Sequence, residues 1–132
     1  FEQYNQAFIT PSRLYEAGVT FCISNSESSF QTPHIRNLPY HASKAASYGL
    51  PWDEALRSIT LSTAEILGVA DHLGSLDPGK DATLFIADGD ILDIRSRVIR
   101  AFIQGRDVDM TDRHKMLDSK YRSKYQQKGI LK

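Results

Sequence analysis

The sequence holds one cysteine, Cys22, in an apolar run. A lone thiol excludes an intrachain disulfide, and its setting suits a buried inert side chain in a reducing, cytoplasmic protein. No stretch approaches the ~20 consecutive apolar residues that a membrane helix needs. Charge of one sign is not in excess either, since 16 Lys and Arg balance 16 Asp and Glu. No overall field therefore directs the chain to nucleic acid or to an anionic surface. The four histidines, at 34, 41, 72 and 114, form no H-x-H or H-E-x-x-H pattern and have no thiolate pair beside them. No metal site is expected within the chain. The chain opens on Phe1 without the charged, apolar and small-residue sequence of a signal peptide, and it is expected to begin inside a longer protein. Its 132 residues suffice for one modest core but fall short of the roughly 250 that a closed (β/α)8 barrel takes.

What is present is a helical half and a strand-rich half. Pro11, Leu14, Ala17 and Gly18 predict a short helix with proline in its first turn, followed by a strand over 19–23. That strand is apolar on both faces (Val19, Phe21, Cys22, Ile23), the pattern of a strand buried in a covered parallel sheet. Such sheets carry chemistry just past their carboxyl ends, which makes 25–30 a candidate rim. Alanines 42, 45 and 46 give a close-packing face to a helix over 38–48. Pro51 opens a second helix with Trp52, Ala55, Leu56 and Ile59 on one side, Trp52 being expected in the core. Ser62 and Glu65 read as a capping box for a third. Beyond Gly74, strands are expected over 83–87 and 98–103, the second turning at Gln104-Gly105 to bring in Val108. A last helix over 114–128 aligns Leu117, Tyr121 and Tyr125. From 113 onward Arg113, Lys115, Lys120, Arg122, Lys124, Lys128 and Lys132 stand against Asp118 alone. A solvated face accounts for this, with an acidic partner or RNA the less favoured reading.

Residues 74–80 read G-S-L-D-P-G-K, close to a phosphate-binding loop, but Asp81 stands where Ser or Thr would be. Pro78 lacks an N–H, and Asp77 and Asp81 would repel phosphate, so a turn into a strand is expected instead. On the rim, Glu27 suits a general acid or base if shielded, and a hydrated loop carboxylate otherwise. His34 lies in the same loop, where an exposed imidazole is the plainer reading. The serines around Asn25 have no G-x-S-x-G elbow.

The runs N-L-P-Y-H-A-S-K-A-A-S-Y-G-L-P-W-D-E-A-L-R-S-I-T and A-E-I-L-G-V-A-D-H-L-G-S-L-D-P-G-K-D-A-T-L-F-I-A-D-G-D resemble the C-terminal part of the amidohydrolase superfamily, particularly imidazolonepropionase-like members. The resemblance extends from about Pro11 to Lys128, and G-S-L-x-P-G-K-D-A before a strand is its most specific element. It implies an α/β plus β fold: the end of a (β/α)8 TIM barrel in residues 1–73, part of a composite β-sandwich in 74–111, and a basic terminal helix in 112–132. It also implies a metal-dependent hydrolase that breaks a C–N bond in an amide or cyclic amide, with zinc or another divalent metal in the full-length form. The family's H-x-H pair and later ligands would lie upstream of Phe1, so this chain alone is expected to hold no metal and to be inactive. The family's aspartate at the end of the last barrel strand aligns with Asn25 in Ser24-Asn25-Ser26. An amide keeps the shape but has no useful basicity, so Asn25 marks a degenerate site or one whose base is reassigned, Glu27 being nearest. Ser26 and His34 are expected to contact a small-molecule substrate. Expected partners are the missing N-terminal part of the barrel and, through the apolar edge at 19–23, further copies of the chain. The rival reading is a non-catalytic relative that binds a small molecule or partner.

Overall fold

A computed structural model describes residues 4–25 and 32–130 of the chain. Helix α1 spans Gln6–Glu16, α2 Leu38–Ser47, α3 Trp52–Ser58 and α4 Leu61–Ile66, with a 3-10 helix over Thr32–Asn37 leading into α2. The strands are β1 (Leu84–Ala87), β2 (Val98–Ile103) and β3 (Arg106–Asp107), and α5 (Arg113–Gln127) comes last. Helix α2 packs on α1 and α3, and α3 on α4.

Pro11 lies inside α1 and not in its first turn, correcting the expected start. Proline removes one backbone hydrogen bond and crowds the preceding turn, yet the helix is held in place by close packing at its middle. Ser12 is buried, and a Cβ on Gly49 would come 3.1 Å from its Oγ. Gly49 also takes φ +105°, which ends α2 as anticipated.

The small-residue face of α2 is real: Ala42 and Ala45 are buried with Leu50, Ala55 and Leu92 in one cluster, joined by partly buried Phe21, Ile23, Ile59 and Ile91. Alanines permit the helices to approach closely. Trp52, by contrast, is not in this core. It is 45 % exposed, because its indole N–H reaches Asp90 at 2.6 Å and a buried indole would need such a partner inside. The capping box is also absent: Thr60 is the residue before α4, no side chain caps it, Ser62 is buried, and Glu65 pairs with Arg57 at 2.6 Å. One turn of helix places Ser62 inward, where it packs instead of capping.

The strands form an antiparallel sheet in the order β1-β2-β3. Leu84 faces Phe102 and Ile86 faces Arg100, but Ala87 pairs with Val98, which leaves Ile99 as an extra residue, a bulge that sharpens the local twist. Gln104 and Gly105 both take positive φ (50° and 77°), matching a two-residue hairpin turn. Val108 continues the pairing through its N–H to Ala101 at 2.9 Å.

Residues 19–25 form no strand in the described structure. Val19 is 49 % exposed, whereas Phe21 and Ile23 turn onto the helical core. A strand needs a neighbour for its backbone groups, and no parallel neighbour is present among the described residues.

Candidate functional site

The segment that ends at Asn25 is tied to the helices through the packing of Phe21 and Ile23 on the core and through a hydrogen-bonded node at Ser58. The carbonyl of Ser58, the last residue of α3, accepts from the Ile23 N–H at 3.2 Å and from the Thr63 hydroxyl at 2.9 Å. Ser58 is itself buried, and its own hydroxyl donates to the Ala55 carbonyl at 2.7 Å. Sequence periodicity did not single out Ser58, because a carbonyl carries no side-chain signal; the bulky apolar pattern around it was the only hint.

Beyond that node, Asn25 donates its Nδ2–H to the backbone carbonyl of His34 at 3.0 Å. The amide thus bridges the two ends of the loop. The structure brings Asn25 and His34 together, but through the main chain of His34, while the His34 residue is exposed on the 3-10 helix. Ser26 and Glu27 lie outside the described residues. A carboxylate at position 25 would have no hydrogen to offer that carbonyl, so the asparagine has a positioning use of its own.

Metal chemistry can be tested on the donors present. Among the described residues, no group of three or more His, Cys, Asp or Glu side chains converges, and a catalytic divalent metal takes about three protein ligands. The donor set here does not fit such an ion.

The G-S-L-D-P-G-K stretch is a turn, as expected. Lys80 donates its ammonium to Ser75 Oγ at 2.6 Å and lies 3.5 Å from Asp77, while Gly79 takes φ +94°. The Ser75 hydroxyl and then Lys80 hold the Asp77 carboxyl below its usual range. With its cation engaged in this way, the turn offers no phosphate cradle.

Two concavities lie elsewhere. One, of about 510 Å³, is bordered by Tyr40, Lys44, Trp52, Asp90 and Asp93. There Asp90 accepts the Trp52 indole through one oxygen and the Leu92 N–H, at 2.9 Å, through the other. Asp93 is held down to about 2 by the Arg95 guanidinium and by the Arg95 backbone N–H, a pair at the surface at 2.6 Å. The other, of about 800 Å³, runs between α3, α4 and β1. Neither is bordered by Asn25 or His34.

The described residues form a helical layer joined to a small antiparallel sheet. The Amidohydrolase family matches residues 13–118, and the chain belongs to that family. It is 32% identical over 104 residues to amidohydrolase tasK of Hapsidospora irregularis, a match that takes in 76% of this chain and 10% of that relative. It also superposes, with a TM-score of 0.70 and 30% identity, on the crystal structure of an amidohydrolase from Thermotoga maritima MSB8, over 77% of this chain and 26% of that one. The chain therefore spans about a tenth of the one relative and a quarter of the other. No helix among the described residues is long and apolar enough to cross a membrane.

Proposed function

We propose that these residues are the C-terminal part of a (β/α)8 amidohydrolase whose complete form hydrolyses a C–N bond in an amide or cyclic amide. In this reading residues 1–73 end the barrel, 74–111 contribute to a composite β-sandwich and 112–132 form a basic terminal helix. Zinc or another divalent metal would be held by ligands outside this chain, supplying an activated water for a small-molecule substrate. Asn25 stands at the position of the family's aspartate, Glu27 takes over as base, and Ser26 and His34 touch the substrate. Residues 19–23 then meet the N-terminal part of the barrel, and in its absence associate with further copies through their apolar edge. Alone, the chain is inactive and cytoplasmic.

The observation that carries this reading is the family match across residues 13–118 combined with coverage of only 10% and 26% of two relatives. A second reading, a non-catalytic relative, is favoured by one detail. Asn25 spends its amide on the His34 carbonyl, a bond that a basic carboxylate cannot make. Metal analysis and an amide-hydrolase screen on the full-length protein separate the two. Stoichiometric metal, with turnover abolished by Asn25→Ala or Glu27→Gln, supports the enzyme. Absence of both metal and turnover supports the binding protein.

A further inference from the structure

Two kinds of contact lead the chain to Asn25. Phe21 and Ile23 pack on the core, and apolar burial is non-directional, so it fixes how deep the segment lies but not how far along it sits. A hydrogen bond is directional and fixes that second coordinate. Here it is the bond from the Ile23 N–H to the Ser58 carbonyl at 3.2 Å, and Asn25 follows two residues on, within ~7 Å of extended chain. The position of Asn25 therefore depends on where the Ser58 carbonyl points.

Ser58 ends α3, and the last carbonyls of a helix have no partner inside it. Left to itself, this one would be free to turn with the fraying end of a seven-residue helix. The Thr63 hydroxyl prevents that. It donates to the same oxygen at 2.9 Å from α4, occupying one lone pair and leaving the other for Ile23. Thr63 is in turn held between Ser62 and Ala64, both buried. At the far end the Asn25 amide donates to the His34 carbonyl at 3.0 Å. The links thus run from Thr63 to Ser58, on to Ile23 and Asn25, and from there to His34. All of them are made within the chain, so none waits on residues outside it.

We propose that Thr63 is a positioning residue for the rim: by aiming the Ser58 carbonyl at the Ile23 N–H it sets where Asn25 stands, and Asn25 in turn holds the 3-10 helix at His34. The assignment rests on the reading of Asn25 and His34 as the functional rim, but the linkage itself is the same whether that rim turns a substrate over or only binds one. Thr63 touches no reacting group. It acts through the main chain of two other residues, which is why nothing in its sequence context marks it.

Amide hydrogen exchange and kinetics on the full-length protein test this with Thr63→Val, which keeps the branched shape and deletes the donor. The Ser58 carbonyl retains the Ile23 N–H, so it is not orphaned and the variant is expected to fold. Exchange at Ile23 and over 32–37 is expected to quicken about fivefold, the factor that one hydrogen bond of ordinary net strength represents, while 38–47 and 98–103 keep their rates. Thr63→Ser, which restores the hydroxyl, is expected to return both regions to wild-type exchange. A threonine that merely stabilises α4 would loosen 61–66 and leave 32–37 unchanged, and that pattern overturns the proposal. In an active protein kcat/KM of Thr63→Val should fall roughly tenfold, because small displacements of positioned groups are costly in rate, and Thr63→Ser should recover it. Wild-type protein without metal or turnover would end the hydrolase reading and leave Thr63 to be judged on exchange. An active Thr63→Val protein with wild-type exchange at Ile23 and 32–37 would instead overturn the role of Thr63 and leave the hydrolase reading standing. Should Thr63→Val fail to fold, Thr63→Cys, a weaker donor, must exchange faster than Thr63→Ser at the same amides; equal rates overturn the proposal.

Discussion

Gly74 illustrates how much one position can depend on its neighbours. Its φ is +91°, and a Cβ there would come 2.7 Å from the Ala64 Cβ and 2.9 Å from the Leu61 Cα. Gly68 has a similar φ of +70° but nothing within 4 Å. Gly74→Ala should therefore cost about 3 kcal/mol, at the upper end of overpacking in a fixed frame, and Gly68→Ala only about 1 kcal/mol for its backbone conformation. Urea denaturation midpoints of the two variants check the difference; equal midpoints would contradict it. Asn25 is a second such position. Asn25→Asp removes the donor to the His34 carbonyl and sets two oxygens against each other, with an expected loss of about 1 kcal/mol. Faster amide exchange over 32–37, without change in the helices, is the accompanying signature. That Asn25 was worth attention was legible in the sequence, because an amide stood where a carboxylate was expected. What it binds was not, since its partner is a main-chain atom nine residues on, which carries no side-chain signal.

At the scale of elements, α5 is the clearest case of local determination. Asp112 precedes it and accepts from the Lys115 N–H at 2.9 Å, the arrangement in which an aspartate satisfies a helix's free amide. That backbone hydrogen bond holds the Asp112 carboxyl below its ordinary value of 3.8. A carboxyl lowered by folding stabilises above its unfolded pKa, and the contribution fades as pH falls through the lowered folded value. Helicity of α5 should thus be constant from neutral pH down to about pH 4 and diminish below it, and Asp112→Ala should show the reduced level at every pH. Circular dichroism at 222 nm and the amide shifts of residues 113–116 report both. The hairpin was equally legible: Gln104-Gly105 fixes a two-residue turn, and the turn fixes the register. Segment 19–23 was not, because an apolar run specifies burial and only a neighbouring strand makes it part of a sheet. Nor was the start of α1, where contact between Ser12 and Gly49 outweighs the local preference of Pro11 for a first turn.

At the scale of the molecule, the two halves of the chain share one core through Leu92. It follows the sheet's first strand, is 1 % exposed, and packs among Ala42, Ala45, Leu50 and Ala55. With alanines supplying so much of that cluster, Leu92 and Leu50 provide most of its bulk. Leu92→Ala should cost about 3 kcal/mol, the transfer of the lost side chain plus the cavity left behind. Helices and sheet should then melt together, with Trp52 fluorescence and far-ultraviolet circular dichroism following one curve. Separated transitions would mean that the halves are independent. Full-length protein is where the proposed hydrolase is to be judged, since the chain covers only a quarter of the Thermotoga maritima amidohydrolase.

Local chemistry settled the helices after 38, the turn at 74–80, the hairpin and the capped terminal helix, because each depends on residues within a turn or two of one another. The likeness to amidohydrolases was also carried by contiguous residues. Only the folded chain decided that Trp52 faces Asp90 at the surface, that Ser62 packs instead of capping, and that Asn25 closes a loop on His34. Those outcomes depend on atoms far apart in sequence, whose approach is fixed by how the alanine-faced helices and Leu92 pack.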